Sequence, residues 1–151
     1  MGLLEDICEQ YENMPLFERI GTAVPNSNRL IDALTVLYGD SDKAEKVFVN
    51  ISICIAAADN YFSPEEFELI KDHIGLCTGR DIDYREAQAS MRKSKLKTRQ
   101  DYIDYVRPII KQLAEQDKAN TEAFIRYSLA ICSADGVICE EEKQWLSDVL
   151  S

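Results

Sequence analysis

The sequence predicts an all-α protein, and three observations carry that prediction. Apolar residues recur at helical spacing along most of the chain, while the β-branched alternation of strands is scarce. Residues that start and stop helices punctuate this pattern. A stretch near the middle of the chain also matches a stretch at its end, so residues 1–151 read as one domain of about seven or eight helices with an internally duplicated helical hairpin.

Each element follows from its residues. Residues 3–13 make a short amphipathic helix with Leu4, Ile7 and Tyr11 on one side. The segment GTAVPNSN breaks the chain, and Asn26, Ser27 or Asn28 can cap a helix carrying Leu30, Ile31, Leu34 and Leu37, which Gly39 ends. A helix from Ser41 to Asp59 is apolar on nearly every side from Val47 onward, which suits the middle of a bundle. In FSPEEFELI, Ser63 is the N-cap, Pro64 takes the first helical position, Glu66 completes a capping box and Phe62 staples to Phe67, so this helix runs to about Gly75. Residues 83–93 read as helical, and residues 91–99 form a basic junction. A helix begins near Thr98, and its Pro108 should kink or divide it. Residues 120–134 form a mostly apolar helix, with Tyr127 in its core face, and Glu140 to Leu150 form the last helix, around Trp145.

Composition narrows the function. A domain of 151 residues can bury roughly 70% of the surface of its unfolded chain, enough for a sizeable core. The net charge of −10 argues against nucleic acid and against anionic membrane surfaces, because both would need a dominant basic face. The only concentration of bases is Arg92, Lys93, Lys95, Lys97 and Arg99, read as a solvated junction or as a contact for an acidic partner or a second copy. No apolar run reaches the roughly 20 residues of a membrane span. The start, MGLLEDICEQ, carries acids where a secretory signal carries bases, so a cytoplasmic protein is expected. The five cysteines, Cys8, Cys54, Cys77, Cys132 and Cys139, show no CxxC spacing and read as reduced, structural thiols.

The repeat is the most informative feature. An offset of 76 residues places SICIAAADNYFSPEEFELIKDHI on SLAICSADGVICEEEKQWLSDVL, within pseudo-repeat halves of about 44–75 and 120–150. Ser52, Ile55, Ala58, Asp59, Glu65, Glu66 and Asp72 meet identical residues at Ser128, Ile131, Ala134, Asp135, Glu141, Glu142 and Asp148. The identities concentrate at the corner between two helices. Asn60 and Gly136 suit the left-handed closure of the first helix, and the glutamate pairs fall in the first turn of the second, where the dipole favours carboxylates. An aspartate at a helix carboxyl end has no such support, and it occurs twice.

The corners ADNYFSPEE and SADGVICEEEK resemble the TerB family, named for a tellurite-resistance protein and related to the amino-terminal domain of a membrane-anchored DnaJ-type co-chaperone. Its signature is an A-D-G turn followed by an acidic pair that opens the next helix. The resemblance implies an all-α domain of two similar halves with a stress-response role and protein partners, membrane-associated ones among them; charge and hydropathy exclude nucleic acid and insertion into the bilayer, and the missing catalytic motifs make the expected role non-enzymatic. It further implies a divalent cation, Ca²⁺ or Mg²⁺ before Zn²⁺, at Asp59, Glu65, Glu66, Asp135, Glu141 and Glu142. This sequence departs from the signature at Asn60, Pro64 and Cys139.

From the residues alone, two readings of the corners stand side by side. Six carboxylates near a pseudo-twofold axis would suit a hard cation. Alternatively, the aspartates make turn hydrogen bonds and the glutamates cap helices. The D-x-[DN]-x-[DN]-G pattern of an EF-hand is missing, as are a phosphate loop, a nucleophile elbow and a metal-hydrolase motif. A metal-dependent hydrolase using the carboxylate cluster is the remaining alternative class. His73, the single histidine, has no ligand or catalytic context, Cys54 and Cys132 suit packing, and Cys139 is a weak redox candidate because glutamates flank it.

Overall fold

The computed structural model describes residues 2–56, 68, 71, 85, 98–132 and 138–151, and all regular structure among them is helical. The helices are α1 (Leu3–Glu12), α2 (Leu16–Gly21), α3 (Ala23–Tyr38), α4 (Ser41–Ala56), α5 (Arg99–Gln116), α6 (Ala119–Cys132) and α7 (Glu140–Leu150). None among the described residues is long and apolar enough to cross a membrane.

Helix α1 buries Ile7, Cys8 and Tyr11, with Leu4 packed partly against the core, as its spacing predicts. Its carboxyl end is closed from outside. Arg19 donates from Nε to the Met14 carbonyl at 2.8 Å and from Nη2 to the Glu12 carbonyl at 3.2 Å, satisfying acceptors that a helix end leaves open. The Thr22 hydroxyl gives its proton to the Arg19 carbonyl at 2.7 Å, so the buried Tyr11 hydroxyl is the donor in its 2.5 Å bond to Thr22 Oγ1.

The start of α3 differs from the sequence expectation. The helix begins at Ala23, and Asn26, Ser27 and Asn28 lie inside it instead of capping it. Pro25 is tolerated in a first turn, where its missing N–H has no helical partner in any case, and its ring conflicts only with the carbonyl four residues back, at Gly21, where α2 ends. Asn26 donates to the Thr22 carbonyl and Ser27 to the Val24 carbonyl, both at 2.8 Å. That local bond lets Ser27 be fully buried. Helix α2, which was not foreseen, is the short piece upstream of the break. Gly39 ends α3 as predicted, at φ 68°, donating its N–H to the Thr35 carbonyl at 2.8 Å.

Helix α4 is capped by Asp40, whose Oδ1 accepts from the Asp42 amide at 2.9 Å. Thr98 opens α5 with a full capping box: its hydroxyl accepts from the Asp101 amide at 3.1 Å, and Asp101 Oδ2 accepts from the Thr98 amide at 3.0 Å. Pro108 does not divide α5. It lies on the exposed side, and the residue whose carbonyl loses its helical donor, Asp104, is exposed too, so water can serve that carbonyl.

The core is organised around α6, which packs against α1, α2, α3, α4 and α5. Its buried residues run nearly all round the helix, from Ala123 and Phe124 through Tyr127, Ser128 and Leu129 to Cys132. Trp145, Leu146 and Val149 bring α7 onto the same core. The Ser63 cap, the Phe62 and Phe67 staple, the helix to Gly75, the helix over 83–93, most of the basic junction, His73 and Cys77 lie outside the described residues.

Candidate functional site: the first turn of α7 and the groove beside it

Of the six predicted corner carboxylates, Glu141 and Glu142 are described; Asp59, Glu65, Glu66 and Asp135 lie outside the described residues. Glu142 is 3% exposed and serves its own helix. Its Oε1 accepts from the Cys139 amide at 3.0 Å, while the Cys139 sulfur receives the Glu142 amide, so the pair forms a capping box with a thiol in place of the usual hydroxyl. Glu140 and Glu141 point outward from the same turn and are exposed. Among its described residues the corner therefore carries one carboxylate in the cap and two facing solvent.

Burial, reinforced by the Glu142 and Glu141 carboxylates, pushes the Cys139 thiol up to about 12. It stays protonated at neutral pH, the reverse of what a reactive cysteine needs. None of the described cysteines Cys8, Cys54, Cys132 and Cys139 is in a disulfide.

Beside this corner lies a groove of about 340 Å³ between α1 and α7. Leu4 and Cys8 form its apolar floor on α1, and Glu5, Glu9 and Glu12 form its rim. Glu140 and Lys143 face them from α7. Lys143 bridges the two walls, ion-paired with Glu12 and lying 3.5 Å from Glu140. The Glu12 contact raises the lysine's affinity for its proton. Burial raises the Cys8 thiol in the floor. Among the described residues Glu5 and Glu9 have no ion pair, so the groove keeps a negative balance after Lys143 is counted.

The far end of α7 is anchored differently. Asp148, which the 76-residue offset sets on Asp72, accepts from Gln144 at 2.9 Å and from Arg99 at 3.0 Å. These bonds hold its carboxyl below the ordinary carboxylate range. Arg107 donates twice to the Asp148 carbonyl, at 2.6 and 3.2 Å, placing cations where the helix dipole favours them. Asp148 is thus an anchor between α5 and α7.

No family model, no curated protein and no solved structure matches the chain. Its functional reading rests on its own residues. Among the described residues no group of three or more His, Cys, Asp or Glu side chains is placed to hold a metal ion. Sequence reading overlooked Glu5, Glu9, Glu12 and Lys143. The available signal was the spacing of the three glutamates at i, i+4 and i+7, one acidic ridge beside the apolar face of α1.

Proposed function

We propose that this chain is a TerB-like stress-response module of the tellurite-resistance type, non-enzymatic and cytoplasmic, which docks onto protein partners and holds a divalent cation at paired acidic corners. The observation that supports this reading is the equivalence of α4 and α6. Phe48, Ser52 and Ile55 match Phe124, Ser128 and Ile131 at the 76-residue offset, and all are buried. Both serines donate to the carbonyl four residues back, Ser52 to Phe48 at 2.9 Å and Ser128 to Phe124 at 2.7 Å. Such agreement favours a duplicated hairpin within seven or eight helices, the architecture from which the corners Asp59, Glu65, Glu66 and Asp135, Glu141, Glu142 take their meaning.

The capping role of Glu142 favours a second reading, a protein-protein adapter whose acids only start helices. Thermal-shift titration with Ca²⁺, Mg²⁺, Mn²⁺ and Zn²⁺ separates the two. A cation held by the corners stabilises the native state by ~2.7 kcal/mol at a hundredfold excess over Kd, and the effect disappears in Asp59→Asn with Asp135→Asn. No shift up to millimolar metal leaves the adapter.

A further inference from the structure

We propose that the groove between α1 and α7 is a docking site for a basic amphipathic helix of a partner protein. This rests on the interaction-module reading but not on a cation at the corners. Two geometric facts select a helix. The walls are two helices, and the groove between them presents the ridges into which a third helix packs. The acidic ridge from Glu5 to Glu12 spans seven residues, about 10 Å or two turns, so a facing helix can meet it with side chains at matching i, i+4 and i+7 spacing.

Charge selects the chemistry. The rim offers Glu5, Glu9, Glu12 and Glu140 against the single cation Lys143, which Glu12 and Glu140 already hold. Glu9 lies one turn below Glu5 on the exposed side of α1, and both carboxylates are without an ion pair among the described residues. An incoming lysine or arginine therefore finds an acceptor with no internal cation to displace. Leu4 and Cys8 below the rim would receive the apolar side of the same helix, whose long basic side chains can lay their methylenes along the floor while their heads reach the glutamates. An acidic or wholly polar segment would leave that floor uncovered and face like charge.

The experiment uses the full chain and a fluorescein-labelled helical peptide of about 15 residues, leucines along one face and lysine or arginine beside them. A counterpart carries glutamate at every basic position. Anisotropy at low and at about 0.3 M salt measures binding. Two double variants remove equal charge: Glu5→Gln with Glu9→Gln in the groove, and Glu45→Gln with Glu115→Gln outside it. Thermal melts check that both pairs stay folded.

The basic peptide binds and its glutamate counterpart does not. The groove pair weakens binding about tenfold, the outer pair less than about twofold, and added salt weakens it further. Equal losses in the two pairs would mean that bulk negative charge attracts the peptide, and the proposal falls. It also falls if the basic peptide does not bind at about 0.1 mM, or if spermidine displaces it at equal concentration, which would make the ligand a small polycation. A protein that takes up metal at its corners yet ignores the peptide overturns this site alone.

Discussion

Helices α4 and α6 carry the same buried Phe-x-x-x-Ser-x-x-Ile motif, yet they occupy different places in the bundle. Helix α6 is surrounded, packed by α1, α2, α3, α4 and α5. Among the described residues helix α4 is packed by α3, α5 and α6 and keeps an open side, where exposed Asn50 donates to the Tyr105 hydroxyl at 3.3 Å. Around that motif the two helices differ, and the pair Ile51 and Tyr127 carries a structural consequence. The Tyr127 ring stacks tilted on Phe48 with centroids 5.1 Å apart, and its hydroxyl lies 2.7 Å from Ser52 Oγ. Ile51 has nothing to offer Ser128 in return. The shared motif is buried in both helices, while a residue that differs beside it, Tyr127, joins the two.

The widest separation between α4 and α6 should come from truncating the phenylalanine that each buries. Phe48 and Phe124 are both fully buried. Phe124→Ala is expected to cost ~4 kcal/mol and Phe48→Ala ~3 kcal/mol, because a cavity in a helix packed on every side cannot collapse as far as one beside an open face. Urea denaturation at equilibrium measures both. An equal or larger cost at Phe48 would remove α6 from the centre.

A smaller contrast appears only at alkaline pH. Burial pushes the Cys54 thiol on α4 up to about 12, whereas the matched position on α6 is Ala130. Between pH ~9 and ~12 the unfolded chain has lost this proton while the native state keeps it, so unfolding releases a proton and stability falls as pH rises. Tyr11, Tyr102, Tyr105 and Cys139 are raised by burial as well and share the slope. Cys54→Ala isolates one share. The stability gap between wild type and variant at pH 7 should shrink by ~2 kcal/mol at pH 10.5, and a gap that stays constant would deny the buried thiol its role.

How far these features were legible from sequence depends on whether their cause is local. The start of α5 near Thr98, the stop at Gly39, the opening of α7 at Glu140 and the apolar character of α6 all follow from neighbouring residues, and the sequence shows them. The start of α3 was misread because Asn26 and Ser27 are cap-forming residues that here satisfy their side chains inside the helix, a choice that Pro25 and Thr22 decide. Glu142 is legible in the sequence as a cap, and its carboxylate accepts the Cys139 amide as that reading requires. The groove was not legible, since nothing in MGLLEDICEQYE states that α7 packs beside α1. Its acidic ridge was visible; its opposite wall came from residues far along the chain.

The finest contrast tests the Tyr127 hydroxyl directly. Ser52 donates its proton to the Phe48 carbonyl, so Tyr127 must be the donor in the bond between their hydroxyls. Ser128 has only the bond to the Phe124 carbonyl to lose, and a serine that bonds back within its own helix gains little over alanine. Ser52→Ala should therefore cost ~1.5 kcal/mol and Ser128→Ala ~0.5 kcal/mol or less. Combining each with Tyr127→Phe completes the comparison, with a coupling of ~1 kcal/mol expected for Ser52 and about zero for Ser128. Equal couplings would mean that the tyrosine acts on both helices through packing alone, and the asymmetry between α4 and α6 would then lie in ring contacts, not in the hydroxyl that joins them.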